Sequence, residues 1–291
     1  MVRPIEARTL LSSIAPPEPW FGLRYNMNLY RGCQHQCIYC DSRSDCYGID
    51  DFADIQVKAN ALDLLPRELA AKRERGTIGF GSMNDCYMPV EEEWQLTRRS
   101  LELIAARGFP VHILTKSDLV RRDLDVLRQI AGLYAAVTFT ITTTDDELAR
   151  KLEPGAPPPS ARLTAMAQVA AAGIRTGACL MPVLPFIGDS DENVTAVLDR
   201  TAAAGGQYVL AAFGMTMRDG QRQPFYDGLE RHFPGLRPRY EATFGSQYEC
   251  PSPRAAGLSR LYQTRCQHLG LATRMPTWAG DDAAQLRLFA S

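Results

Sequence analysis

Short stretches of strand-like composition alternate with stretches of helical periodicity along most of this chain. The strand-like stretches are the six runs 27–30, 77–81, 111–115, 136–141, 174–181 and 207–213. The helical stretches between them lie near 62–75, 93–107, 119–131, 161–172 and 190–204. In the third of these, Val120, Leu124 and Leu127 recur at the spacing that gives a helix one apolar face. This alternation predicts parallel strands with helices packed outside them.

Six strand–helix units are fewer than the eight that close a TIM barrel. We therefore predict an α/β fold: a partial (β/α)6 TIM-type barrel with parallel strands and an open side, followed by a C-terminal helical extension. The expected boundaries are an extended N-terminal lead-in over 1–25, a barrel core over 26–213 and an extension over 214–291 that packs on the barrel. The extension should include a terminal helix near 252–270. In such barrels the working residues lie at the C-terminal ends of the strands.

The bulk composition is that of an ordinary globular protein, with 45% hydrophobic residues and a mean hydropathy of -0.20. The N-terminal residues lack the apolar core of a signal peptide, and no apolar run reaches the roughly 18 residues of a membrane span. We therefore expect a cytoplasmic protein with no membrane partner. In that reducing compartment, eight cysteines favour metal binding or catalysis over disulfides. A formal net charge of -1 provides no global attraction for nucleic acid.

Three cysteines follow the first predicted strand with the spacing C-x3-C-x2-C. Cys33, Cys37 and Cys40 can wrap one [4Fe–4S] cluster from a single loop, and three protein thiolates leave one iron open to another ligand. Zinc is the alternative, with His35 or Cys46 as a fourth ligand. Zinc ligands generally form two close pairs separated by a long spacer, however, and the sequence has no matching second pair. The cluster is therefore the favoured prediction.

An aromatic residue, Tyr39, stands directly before the last of the three cysteines. With this residue the motif resembles that of the radical S-adenosylmethionine (SAM) superfamily. Other stretches, "GSMNDCYMPVE", "GIRTGACLMPVLPFIGD" and "YECPSP" among them, resemble the spore photoproduct lyase-like branch, often labelled DNA repair photolyase. The resemblance runs over roughly residues 26–270, which is most of the chain.

The resemblance implies an enzyme that uses a [4Fe–4S] cluster, S-adenosyl-L-methionine and an electron donor such as flavodoxin or ferredoxin. In that superfamily the open iron binds the amino and carboxylate groups of SAM, and an electron passed to the sulfonium releases a 5′-deoxyadenosyl radical. The branch implies a lyase-like activity on damaged DNA. The alternatives are a small molecule, a peptide or an RNA base as substrate, and a metal-binding module without catalysis.

The resemblance also implies which side chains contact the cofactor. The eight candidates are Tyr39, Asn84, Asp85, Lys116, Ser117, Thr140, Thr142 and Met181. Lys116 corresponds to a lysine that pairs with the SAM carboxylate, whereas Tyr39 and Met181 correspond to positions near the adenine. Structural roles remain open for the others, because asparagine and aspartate suit turns, serine suits helix caps and threonine suits strands.

A cysteine thiol is the implied donor that returns a hydrogen atom to the product radical. We rank Cys86 first, then Cys46, then Cys250, and we expect Cys179 to be a small buried hydrophobic residue. Asp41 follows the last motif cysteine, where spore photoproduct lyase has an aromatic residue of its radical relay. This difference keeps the alternative substrates open.

Two charged residues, Glu153 and Arg162, flank the proline-rich stretch "EPGAPPP" after the fourth predicted strand. They could form an ion pair that supports the cofactor site. We expect instead a surface salt bridge, which contributes little to stability.

Overall fold

The structure, a computed structural model, describes residues 1–49 and 51–280. The strands in these residues are β1 Val2–Ile5, β2 Leu11–Ser13, β3 Leu23–Met27, β4 Tyr30–Arg31, β5 Ile55–Lys58, β6 Thr77–Phe80, β7 Val111–Thr115, β8 Ala135–Thr140, β9 Arg175–Leu180, β10 Val209–Ala211, β11 Gly214–Thr216 and β12 Glu249–Pro251. The α-helices are α1 Ala61–Ala71, α2 Val90–Trp94, α3 Leu96–Arg107, α4 Leu124–Ala131, α5 Asp146–Leu152, α6 Pro159–Ala171, α7 Asp191–Ala203, α8 Arg222–His232, α9 Leu236–Phe244 and α10 Ala255–Leu269. In this part of the chain, no helix has the length and apolar character needed to cross a membrane.

The largest sheet within the described residues has seven strands in the order β10-β9-β8-β7-β6-β3-β2. Strand β2 pairs antiparallel with β3, and the other six strands run parallel. Strand β8 is buried along its whole length, as expected of a parallel strand that is covered on both faces. Because β10 and β2 form the two edges, the barrel is open. The predicted α/β class and partial (β/α)6 barrel are confirmed.

The helices between the strands bury one apolar face each against the sheet. In α4, the side chains of Val126, Leu127 and Ile130 are buried and join the main hydrophobic core. Val120, predicted to begin this helix, lies instead in the 3-10 turn Asp118–Asp123 and is buried in the same core. The apolar periodicity therefore predicted the buried face correctly, but not the break between turn and helix.

The first barrel strand lies earlier in the chain than predicted. It spans Leu23–Met27 rather than 27–30, and its odd-numbered residues are the buried ones. The next two residues with strand geometry, Tyr30 and Arg31, form β4, which pairs with β5 in a separate three-stranded sheet of order β1-β5-β4. The stretch 1–25 therefore contains β1, β2 and the start of β3. Period-two alternation in "LRYNM" was the signal for the true strand.

The described residues after β10, which end at 280, pack against the cysteine loop and the outer helices, and the rest of the predicted extension, 281–291, lies outside the described residues. Strands β11 and β12 pair antiparallel, with α8 and α9 between them in sequence. A hydrophobic cluster joins Met215 of β11 and Cys250 of β12 to Cys37 and Tyr39. Helix α10 ends within one residue of the terminal helix predicted near 252–270 and packs along α7.

Buried side chains from the N-terminal ends to the middle of the strands fill one end of the barrel interior, which we call the lower end. His112 Nε2 lies 2.8 Å from Thr138 Oγ1, which lies 2.7 Å from the Tyr208 hydroxyl. The Phe21 ring stacks on His112, with 4.3 Å between the ring centroids. Since this end is filled, the space inside the barrel lies toward the C-terminal ends of the strands.

Candidate active site

A cavity of about 600 Å³ lies at the C-terminal ends of the parallel strands. Its wall includes the cysteine motif, the loops after β6 and β7, and the β11–β12 pair. The predicted site residues in the wall are Cys33, Cys37, Tyr39, Cys40, Asn84, Asp85, Lys116, Thr140, Met181 and Cys250. The predicted residues outside the wall are Cys46, Cys86, Ser117 and Thr142. The fold thus brings ten sequence-predicted residues around one space.

The cysteine loop, residues 33–40, is held in place by contacts with distant parts of the chain. The Cys33 amide donates to the Phe52 carbonyl at 3.1 Å, and the Gln221 side-chain amide donates to the Tyr39 carbonyl at 2.8 Å. Gly32 enters the loop with a φ of +76°, and a Cβ there would lie 2.7 Å from a backbone oxygen. The tight backbone approach requires glycine, so the start of the loop is fixed by its sequence.

The three motif cysteines fit an iron–sulfur cluster. Cys33 and Cys37 are buried, Cys40 is half-buried, and all three are free thiols. Burial raises the pKa of the Cys33 thiol to about 11, so a metal must displace its proton at neutral pH. Among the described residues, no three His, Cys, Asp or Glu side chains cluster as a single metal ion requires. The observation that fits the cluster is that all three thiols of one short loop line the same cavity.

Lys116 follows β7 and brings a cation into the cavity wall. Its Nζ lies 5.7 Å from the centroid of the Tyr39 ring. Burial opposes the charged form, but Cys37 and Glu153 outweigh it and hold the pKa of Lys116 above its usual value. The side chain therefore carries a full positive charge at neutral pH, as required for binding a carboxylate.

Asn84 and Asp85 join the loop after β6 to neighbouring strands. The Asp85 carboxylate accepts from the Thr115 hydroxyl at 2.7 Å and from the Lys116 amide at 2.6 Å. The Asn84 side-chain amide donates to the Tyr30 carbonyl at 2.5 Å. These contacts position Lys116 at the cavity wall, and they satisfy part of the hydrogen-bonding capacity of both polar side chains.

Glu153 and Arg162 form a buried ion pair, so the expectation of a surface salt bridge was wrong. Only 1% of Glu153 and 0% of Arg162 is exposed, and Arg162 Nη2 lies 2.5 Å from Glu153 Oε2. The Tyr39 hydroxyl donates to the same carboxylate, and the Thr142 hydroxyl lies 3.4 Å from it. Although burial disfavours the carboxylate, Arg162 and Lys116 keep the pKa of Glu153 below its usual value. Arg162 holds the proline-rich loop inward, because it donates to the Pro157 carbonyl at 2.7 Å and to the Thr140 carbonyl at 3.0 Å.

The predicted hydrogen-donor cysteines occupy different environments. Cys86 is buried outside the cavity wall, and its carbonyl accepts from Thr97. Cys46 is exposed, with its sulfur 3.5 Å from a guanidinium nitrogen of Arg218. Cys250 lies in the wall on β12. Ser117, also outside the wall, accepts from the backbone amide two residues ahead and caps the following turn.

Some wall residues could not be identified from the sequence pattern. Cys179 is buried, as expected, but it lies in the cavity wall rather than only in the core. Its position near the C-terminal end of a barrel strand was the available signal. Phe21, Phe213 and Gln221 also line the cavity. Phe21 and Gln221 come from outside the strand–helix units, and no local motif marks them, whereas Phe213 ends the sixth strand-like run.

Comparison with known proteins identifies the family. The sequence model of the Radical SAM superfamily matches residues 27–200. An uncharacterized protein of Mycobacterium tuberculosis is 35% identical over 229 residues, which cover 76% of this chain and 67% of that protein. A protein of Pseudomonas phage M6 named Radical SAM Nalpha-GlyT isomerase is 25% identical over 207 residues, covering 71% of this chain and 41% of the phage protein.

Solved structures share the fold at low sequence identity. Spore photoproduct lyase complexed with dinucleoside spore photoproduct superposes with a TM-score of 0.68 and 18% identity, covering 93% of this chain and 81% of the lyase. A radical SAM methyltransferase from Kitasatospora setae, solved with a tryptophan substrate and a SAM analogue, has a TM-score of 0.56 and 12% identity, covering 82% of this chain and 51% of that chain. Because the family model matches the part of the chain that holds the cysteine motif and most of the barrel, this chain belongs to the radical SAM superfamily, whose members use SAM and an iron–sulfur cluster.

Proposed function

We propose that this protein is a radical SAM enzyme that holds a [4Fe–4S] cluster on Cys33, Cys37 and Cys40 and leaves one iron open for SAM. The observation that carries the proposal is that these cysteines and Lys116 line one cavity. When bound, the reduced cluster supplies an electron that cleaves SAM and yields a 5′-deoxyadenosyl radical for hydrogen abstraction. The barrel core over 26–213 would provide this chemistry, and the remaining segments would shape the substrate end.

The chain's own side chains have distinct tasks in this proposal. The Lys116 ammonium pairs with the SAM carboxylate, because Lys116 is half-buried and a charge-assisted contact is stronger there than in bulk water. The Thr140 hydroxyl and the Asn84 amide contact polar groups of SAM. Tyr39 and Met181 border the adenine. Ser117 and Thr142 lie outside the cavity wall, where Ser117 caps a turn and the Thr142 hydroxyl lies near the Glu153 carboxylate.

Apolar side chains in the wall keep water from the reacting groups. Phe21, Met181, Pro182, Phe213 and Pro251 all line the cavity. A dry cavity protects a reactive intermediate from side reactions and strengthens the electrostatic contacts inside it. These residues come from both the barrel and its flanking segments, so closure of the site depends on the whole fold.

Cys250 is our proposed hydrogen donor, in place of the first-ranked Cys86. Of the three predicted donors, all within the described residues, Cys250 is the one that lines the cavity. Burial raises the pKa of Cys250, although Arg222 opposes this, so the sulfur keeps the hydrogen it must deliver. Cys46 remains a rival for a substrate large enough to reach the surface beside Arg218.

A damaged thymine in DNA is the proposed substrate, processed in a lyase-like reaction. The support is a fold shared with spore photoproduct lyase. A small molecule, a peptide or an RNA base is the alternative. One observation favours it: Lys116 is the single lysine or arginine among the described residues that line the cavity, whereas Asp41, Asp85 and Glu249 contribute carboxylates. Phosphate groups would have to remain outside this wall.

The cluster assignment is tested with Cys37→Ala in an anaerobic preparation. We expect the variant to lose the broad visible absorbance of the cluster and to form no 5′-deoxyadenosine with SAM and dithionite. Cys266→Ala is the matched control, because Cys266 is a buried cysteine of α10 far from the motif, and it should retain both. Normal SAM cleavage by Cys37→Ala would refute the proposal.

The substrate is tested by anaerobic turnover with an oligonucleotide that contains spore photoproduct. Repaired thymines should appear together with 5′-deoxyadenosine when dithionite, flavodoxin or ferredoxin supplies electrons. If 5′-deoxyadenosine forms at the same rate with and without the lesion and no thymine is repaired, the lesion is not the substrate. A small molecule, a peptide or an RNA base then becomes the proposed substrate.

A further inference from the structure

A buried network of Tyr39, Glu153 and Arg162 stands behind the cysteine loop. All three side chains are at least nine-tenths buried, and the Glu153 carboxylate is the group that the other two contact. A buried carboxylate is costly unless it is both paired and hydrogen-bonded, and here it is both. The network is thus well enough supported to keep a negative charge inside the protein.

The loop that carries Glu153 is docked onto the cysteine loop by backbone contacts. The Ile38 amide donates to the Leu152 carbonyl at 2.9 Å, and the Gly155 amide donates to the His35 carbonyl at 3.0 Å. A Cβ on Gly155 would lie 2.1 Å from a backbone oxygen of the cysteine loop. The two loops are therefore tied together, with Glu153 between the two backbone contacts.

The Glu153 charge acts on the motif cysteines through a low-dielectric interior. The Glu153 carboxylate accepts a hydrogen bond from Tyr39, which stands between Cys37 and Cys40 in the cysteine loop. A buried negative charge in contact with this loop disfavours added negative charge on any group that Cys37 and Cys40 hold. Arg162 pairs with the same carboxylate, and its positive charge exerts the opposite influence.

We propose that Glu153 is a positioning residue for the cluster: it fixes the cysteine loop through Tyr39, and its buried charge keeps the reduction potential of the cluster low. The inference rests on the proposed function, since it requires a cluster on Cys37. The step concerned is the uptake of one electron from a reductant such as dithionite, with no bond formed or broken. A low potential makes the reduced cluster a stronger donor toward SAM.

The chain contains a matched control for this network. Glu91 is also fully buried, accepts from the Tyr30 hydroxyl and pairs with Arg122 at 2.8 Å. This second tyrosine–glutamate–arginine set makes the same contacts, but Tyr30 belongs to β4 and not to the cysteine loop, and 23% of the Arg122 side chain is exposed. Glu91→Gln therefore shows how the neutralisation of a buried glutamate in general affects iron content and reduction potential.

The experiment compares Glu153→Gln with Glu91→Gln in the anaerobic holoprotein. Iron content and the reduction potential are measured, the latter by a redox titration followed by electron paramagnetic resonance. We expect Glu153→Gln to increase the equilibrium constant for one-electron reduction about tenfold, which is about 59 mV for a one-electron couple. Glu91→Gln should keep full iron content and a potential close to that of the wild type. Arg162→Met should shift the potential in the negative direction.

The possible outcomes distinguish a failure of this inference from a failure of the proposed function. A wild-type protein without a cluster signal would refute the proposed function. A normal cluster in Glu153→Gln with an unchanged potential would overturn the inference alone, and so would a positive shift in Arg162→Met. Loss of iron from Glu153→Gln but not from Glu91→Gln supports the positioning role, and the sign of the Arg162→Met shift then decides the role of the charge.

Discussion

Lys116 illustrates how a single residue gains its role from its neighbours. A lysine after a strand is ordinarily solvated, but here the backbone amide of Lys116 is fixed by Asp85 and its ammonium enters the cavity wall beside Tyr39. Its charge is stabilised by Cys37 and Glu153, although burial opposes it. The site therefore offers a preorganised cation to an incoming carboxylate, which costs little reorganisation when the ligand binds.

Lys116→Met should weaken the binding of SAM about ten- to a hundredfold. The reason is the loss of a hydrogen bond to a charged group, which contributes about 1.5–3 kcal/mol. The dissociation constant of SAM is measured by equilibrium dialysis under anaerobic conditions. Lys151→Met, which alters an exposed lysine of α5, should leave it unchanged. Equal affinity of Lys116→Met and the wild type would show that the carboxylate binds elsewhere.

At the scale of elements, the cysteine loop depends on the connection between β8 and α6. This connection contains α5 and the residues up to Gly155, and it reaches the cysteine loop through backbone contacts. A side chain at Gly155 has no space, because an added Cβ would lie 2.1 Å from the Gln34 carbonyl oxygen. The close approach of two loops thus rests on one glycine.

Gly155→Ala should lower the iron content of the purified protein to half or less. The added methyl group must push the cysteine loop away, and overpacking of this kind costs about 1–3 kcal/mol. Iron and acid-labile sulfide are measured per chain. Gly257→Ala is the control, since a Cβ at that position of α10 meets nothing within 4 Å, and alanine favours a helix. Full iron content in Gly155→Ala would show that the loops are not coupled.

The alternation of strands and helices predicted the barrel because the two-residue period of a strand and the 3.6-residue period of a helix are local properties of the chain. The first strand was misplaced for a physical reason: the apolar run "MNLY" is split between the end of β3 and a strand of another sheet. The alternating pattern of residues 23–27 is the weaker signal, because a half-buried strand beside an edge strand has fewer apolar residues.

The cysteine motif was predictable for the same reason, since its three ligands lie within one short loop. The burial of the Glu153–Arg162 pair was not, because whether a proline-rich loop folds inward depends on what covers it. The same applies to Phe21 and Gln221, which reach the cavity from segments outside the barrel units. Contacts between distant segments carry no local pattern, so they appear only when the chain is folded.

At the scale of the whole molecule, segments far apart in sequence close the lower end of the barrel. The Phe21 ring covers His112, and Met275 lies near Thr138 in the same buried cluster. The Tyr134 hydroxyl donates to the Pro276 carbonyl at 2.8 Å. His112 is consequently enclosed by the sheet and by both flanking segments, and its imidazole has no access to solvent.

This enclosure makes the stability of the fold dependent on pH. Burial lowers the pKa of His112 to about 3, whereas an unfolded histidine titrates near 6.5. Below pH 6.5 the unfolded chain therefore binds a proton that the folded chain does not, and stability falls as the pH decreases toward 3. Between pH 7 and pH 5 the loss should be about 2 kcal/mol in the free energy of unfolding, from about 1.4 kcal/mol per pH unit.

His112→Gln should remove this part of the pH dependence in denaturant unfolding, while His268→Gln, which alters an exposed side chain, should retain it. If His112→Gln and the wild type lose stability equally over this range, the imidazole is protonated inside the fold, and the lower end of the barrel admits water.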